Sequence, residues 1–169
     1  MNIQDLKDSF YAGLRNQIAA INPARTVVIR GVTWPGVLVV ENDLPQSDGA
    51  LLETFQLTWS ALKHSAEGLI IAVCEISYSV NGSDGATETA SSVLGRGRAL
   101  AAMDAELVSA LGGPLRSLAG FTAFETGGVA TQTASGTQVF WGDLAFTNLA
   151  AKSDRISRVA SVEVFGYGK

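Results

Sequence analysis

Leu69-Ile70-Ile71-Ala72-Val73-Cys74-Glu75-Ile76-Ser77-Tyr78-Ser79-Val80 is a long alternating run of apolar and polar residues. Ala72, Cys74, Ile76, Tyr78 and Val80 alternate with Val73, Glu75, Ser77 and Ser79, the period of a β-strand. Its first half is apolar on both faces, which predicts a strand in the interior of a sheet. Upstream, residues 54–59 repeat the pattern, with Phe55, Leu57 and Trp59 on one face and Thr54, Gln56 and Thr58 on the other. Near the end of the chain, Ala160, Val162 and Val164 alternate with Ser161, Glu163 and Phe165 over residues 156–165. Three strands of this kind require an apolar partner layer.

Two helices supply that layer. Over residues 2–21, Ile3, Leu6, Phe10, Leu14, Ile18 and Ile21 form one stripe, while Asp5, Asp8, Arg15 and Asn16 fall away from it. Asn2 and Asp5 have the spacing of a capping box, and Asn22-Pro23 stops the helix. A second helix is predicted over 94–111, with Leu100, Met103, Leu107 and Leu111 on one side and Gly112-Gly113-Pro114 as its end. Between the first helix and the central strands, residues 26–32 and 36–41 are rich in β-branched residues. They read as a hairpin turning at Thr33-Trp34-Pro35-Gly36. Residues 42–50 and 81–92 read as loops. Residues 121–125 and 138–141 read as short strands around a polar, glycine-rich stretch at 126–137. The expectation is one α+β domain over residues 1–169: a mainly antiparallel sheet with both amphipathic helices on one face.

Composition narrows the function. Of 169 residues, 47% are hydrophobic, enough for one packed core. Only 17% are charged, and the mean hydropathy is +0.22. Either some surface is hidden against other subunits, or the surface is rich in neutral polar residues. A net charge of −4 and a pI near 4.9 give no general attraction for nucleic acid or anionic membranes. No apolar run approaches the ~20 residues of a membrane span. The opening Asn2, Gln4, Asp5 and Lys7 do not read as a Sec leader. The single cysteine excludes an internal disulfide framework and suits a reducing cytoplasm.

Catalytic and metal chemistry find little support. His64 is the sole histidine, which rules out a histidine cluster for zinc or iron, and Lys63-His64-Ser65 reads as a solvated turn. No Gly-x-Ser-x-Gly elbow is present. Cys74 lies mid-strand with Ile76 and Tyr78, where burial would make it inert. Gly95-Arg96-Gly97-Arg98 lacks the third glycine of a dinucleotide cradle, because Leu100 stands there, and it follows a polar stretch instead of a strand. Carboxylates are scattered: Glu41 and Asp43 beyond the hairpin, Asp104 and Glu106 on the second helix. No enzyme activity, metal or cofactor is expected.

The order of landmarks resembles a known family. After the first helix come Val37-Leu38-Val39-Val40-Glu41-Asn42-Asp43-Leu44-Pro45 and Thr54-Phe55-Gln56-Leu57-Thr58-Trp59. Then follow Ile76-Ser77-Tyr78, Arg96-Gly97-Arg98-Ala99-Leu100 with Met103-Asp104 and Glu106-Leu107, and Gly136-Thr137-Gln138-Val139-Phe140-Trp141. This is similar to the tail-terminator, neck-region proteins of tailed bacteriophages and prophages; residues 126–136 have no counterpart in it. The resemblance implies a homohexameric ring at the head-proximal end of the tail tube, assembled in the host bacterial cytoplasm. Such a ring would join tube protein to neck or connector and pass DNA without specific binding. Candidate subunit-interface residues are Arg96 or Arg98 meeting Glu41 or Asp43 of a neighbour, with some of the loops 42–50, 81–92 and 126–136 ordering only on assembly. Alternatives are another head–tail joining or stopper protein, or a small-molecule or peptide-binding module with a pocket of Trp34, Phe55 and Trp59.

Overall fold

A computed structural model describes residues 1–40, 51–81, 90–126, 129–148, 150–152 and 155–167; for 90–96, 123–126, 129–130 and 151 it describes the backbone alone. Helix α1 spans Ile3–Ile21 and opens on the expected capping box. The Asp5 amide donates to Asn2 Oδ1 at 2.8 Å, and the Asn2 amide donates to Asp5 Oδ2 at 3.0 Å. That reciprocal pair explains why Asp5 is buried, against the expectation that it faces away from the stripe. Leu6, Phe10, Leu14 and Ile18 are fully buried, each contributing about 1.5–3 kcal/mol of apolar transfer. Ile21 lies past the end of the core and is exposed.

The hairpin is built differently from its sequence reading. Strands β1 (Thr26–Ile29) and β2 (Val32–Pro35) pair with each other alone, as a two-stranded sheet. The turn is Arg30-Gly31, with φ of 49° and 79°, the left-handed conformation that a two-residue hairpin connection demands. Pro35-Gly36 is instead the point where the chain leaves the hairpin, and β3 (Val37–Val39) joins the main sheet.

Among the described residues the main sheet has eight strands. Its spine runs β3, β4 (Phe55–His64), β5 (Leu69–Asn81), β10 (Arg155–Tyr167), β7 (Val129–Trp141) and β6 (Ser117–Thr126). Two short strands, β8 (Ala145–Phe146) and β9 (Ala150–Ala151), pair with β10 before β7 does. Every pairing is antiparallel except β3 with β4. Strand β5 is interior, as its two-sided apolar half predicts. Helix α2 (Ala90–Leu111) begins earlier than the expected 94 and carries Arg96-Gly97-Arg98 inside it. Both helices pack on one sheet face around a single core, with Leu100, Met103 and Leu107 meeting Ile76, Val162 and Val164. Trp141 Nε1 donates to the Leu111 carbonyl at 2.9 Å and satisfies an open acceptor at the end of α2.

The stretch 126–137 is mostly strand, which corrects its reading as a polar loop. Only Val139–Trp141 of β7 pair with β10, so the rest of β7, paired with β6, extends past the sheet. Thr131, Gln132, Thr133 and Ala134 are exposed there, with no core beneath them to impose an apolar alternation. Gly136, at φ 69°, accommodates the irregularity where β7 carries extra residues opposite Gly120. Among the described residues, no helix is long and apolar enough to cross a membrane.

Candidate functional site

Of the four residues expected at a subunit interface, Arg98 is exposed on α2. Arg96 lies in the same helix, and its side chain is outside the described residues, as are Glu41 and Asp43. Among the described residues the aromatic trio lines no shared pocket. Phe55 is fully buried edge-on to Tyr78, with ring centroids 5.3 Å apart. Trp59 packs edge-on to Phe10 at 6.0 Å beneath the Lys7 ammonium, and Trp34 stands on the hairpin.

His64 is exposed at the end of β4, and the turn follows it at Ser65. Burial pushes the Cys74 thiol far above its ordinary pKa, so it is a packing residue. Among the described residues, no group of three or more His, Cys, Asp and Glu could hold a metal ion.

Two polar clusters tie α2 to the body. Asp104 accepts hydrogen bonds from the Tyr78 hydroxyl and, at 2.7 Å, from Arg158. Burial first, then the Asp104 carboxylate, drive the Tyr78 pKa upward, so the phenol stays protonated and serves as a donor. Glu106 accepts from Asn22 Nδ2 at 2.8 Å, from Arg25 Nη2 at 2.8 Å and from Arg25 Nε. The Arg25 guanidinium also donates to the Glu53 carbonyl at 2.8 Å and lies over the Phe55 ring. Arg25 directly precedes β1, and its carbonyl accepts from the Gly36 amide at 2.8 Å. The Glu106 cluster therefore clamps both ends of the β1–β2 hairpin. No sequence motif announces it, because Arg25 and Glu106 are 81 positions apart.

Two surfaces remain open among the described residues. The first is the hairpin. Val27, Ile29, Val32 and Trp34 share one of its faces by register, yet Val32 is 53% and Trp34 42% exposed; Val28, on the other face, is 65% exposed. The second is the sheet face opposite the helices, over which no described helix packs. One row across it reads Lys63, Ile71, Phe165, Phe140 and Ser117, with the two phenylalanine rings stacked at 5.8 Å. Beside that row, Val73 pairs with Glu163, and Glu75 with Ser161. Towards the other end the face turns polar: Gln56, Ser77, Ser79 and Ser157 with Lys152 and Arg155 enclose a groove of about 250 Å³. A partly apolar sheet face that no described helix covers is a candidate docking surface.

No protein-family model matches the chain, and no curated protein matches it in sequence.

Proposed function

We propose that this chain is a structural virion protein of a tailed phage or prophage, resembling a tail terminator. Copies assemble into a ring, sixfold by the resemblance, that caps the head-proximal end of the tail tube and joins it to the neck or connector. One observation carries the reading beyond the order of sequence landmarks. Both helices close one sheet face, while the face bearing Ile71, Val73, Phe140 and Phe165 is half-exposed, and a second apolar surface stands on the hairpin. A closed ring needs two unlike patches on each subunit, one for each neighbour. The net charge of −4 suits a passage for DNA, since a wall of like sign limits adhesion.

The test is light scattering and negative-stain microscopy of the purified protein, alone and mixed with tail tubes. Sixfold rings, or rings formed only at tube ends, are the expected result. A chain that stays monomeric alone and leaves tube ends bare overturns the reading. Binding to neck complexes but not to tubes would reassign the protein to the stopper class.

A further inference from the structure

We propose that the β1–β2 hairpin is a plug that docks, Arg30 first, into an acidic groove on the open sheet face of a second copy of this chain. The inference rests on the reading above in one respect: the partner is another copy. The groove has a volume of about 350 Å³ and is lined by Val73, Gly142, Asp143, Ala145, Ser161 and Glu163. Its floor is the sheet, and Val73 and Ala145 give it an apolar base. Glu163 is exposed and has no ion-pair partner among the described residues. The Asp143 side chain is 90% exposed even while it pairs with Arg116. Glu75 is one row away on the same face.

The hairpin is the complement in charge and shape. Arg30 occupies the tip, exposed, in a left-handed turn with Gly31, and it too has no ion-pair partner among the described residues. Val28, Val32 and Trp34 stand exposed behind it. A two-stranded ribbon is marginal in water unless a further surface covers it. Arginine and tryptophan flanked by small apolar side chains are the composition of an interface anchor. For an acidic chain to bind itself, a local cation must meet a local anion, and Arg30 with Glu163 provides that match. The hairpin sits beside α1, whereas the groove opens on the face opposite the helices. Plug and socket are thus different patches, and the contact is head-to-tail.

Sedimentation of Arg30→Glu, Glu163→Arg and the double reversal tests the pairing. Each single change should weaken self-association roughly tenfold or more, and the double change should recover most of it. Disulfide trapping gives an independent readout, since Cys74 is buried and does not compete. Oxidising a mixture of Arg30→Cys and Glu163→Cys proteins should yield a dimer containing one of each. Wild-type rings together with no mixed dimer and unaffected single variants would overturn the pairing while leaving the ring intact. A wild-type chain that stays monomeric at the highest attainable concentration and gives no mixed dimer would overturn the plug as a contact between copies. Templated rings on tube ends would still support the proposed function in that case.

Discussion

Replacing Glu106 by alanine tests the part of the structure that holds the hairpin in place. Arg25 and Glu106 have side-chain exposures of 8% and 10%, so their pairing is a buried one. The carboxylate receives three N–H groups, from Asn22 Nδ2 and from Arg25 Nε and Nη2. Its removal leaves a guanidinium held by the Glu53 carbonyl and the Phe55 ring but without a counter-charge among the described residues. Stranding one partner of a buried pair costs about 3–5 kcal/mol. For a domain of this size each kcal/mol lowers the melting temperature by about 2–4 °C, so Glu106→Ala should melt roughly 6–20 °C lower. Urea unfolding followed by tryptophan fluorescence measures the free energy directly. Replacing both partners, as Arg25→Met with Glu106→Leu, should recover much of the loss because no lone charge remains. Amide exchange in Thr26–Ile29 and Val32–Pro35 should quicken in Glu106→Ala more than in β5, since the clamp is at the root of the hairpin. A loss below about 1 kcal/mol in Glu106→Ala would place the pair with solvent-exposed bridges and refute the reasoning.

Two further outcomes follow from single side chains. Ser9 is fully buried, and its hydroxyl accepts from the Phe121 amide at 3.0 Å and donates to the Phe121 carbonyl at 3.3 Å, so α1 satisfies one residue of the edge strand β6. Ser9→Ala should cost about 1–3 kcal/mol in urea unfolding, whereas a surface serine would cost nothing measurable. Asp8 is half-buried, and desolvation first of all raises its pKa above the ordinary carboxylate value, against the lowering effect of the hydrogen bond from Gln4. A raised carboxyl pKa means that the folded state binds the proton more tightly than the unfolded chain. The ionised form therefore burdens folding at neutral pH, and the burden lifts as pH falls through the folded pKa towards the ordinary value. Asp8→Asn should accordingly melt higher than wild type near pH 7 and converge with it in acid; equal melting temperatures throughout would refute the desolvation argument.

How far the sequence can be read depends on whether a segment's neighbours leave a periodic mark on it. Strands β5 and β10 alternate because one face of each meets the helices, and α1 carries both its stripe and its cap in adjacent residues. The hairpin turn was obscured by a stronger local signal. Pro35-Gly36 outweighs Arg30-Gly31 in composition, yet it marks the exit from the hairpin. Helix α2 starts within a serine- and glycine-rich stretch that composition assigns to a loop. The far half of β7 lacks a core beneath it and so lacks the alternation that would reveal it. The open surfaces were harder still. Ser161, Glu163 and Phe165 were legible as the outward set of β10, but the row linking Phe165 to Phe140 and Ile71 depends on strand order. Glu106 looked like one scattered carboxylate among several until the fold brought Arg25 and Asn22 to it.

On the proposed plug contact, strand order ties the clamp to the plug. A head-to-tail contact closes into a ring only if the rotation between neighbours is fixed; otherwise it runs on as an open filament. Among the described residues the hairpin has no ladder to the main sheet, so its angle relative to the groove is set at its root. There the Arg25 guanidinium holds Glu106 of α2 and the Glu53 carbonyl, and the Arg25 carbonyl holds the Gly36 amide. Burying these charges contributes little to stability compared with an apolar packing of the same volume. What it adds is direction, because hydrogen bonds to a planar guanidinium fix orientation where apolar contact does not. Loosening the clamp should therefore spread the angle between subunits before it abolishes their affinity. On the proposed ring assembly, closed rings would then give way to open and irregular assemblies.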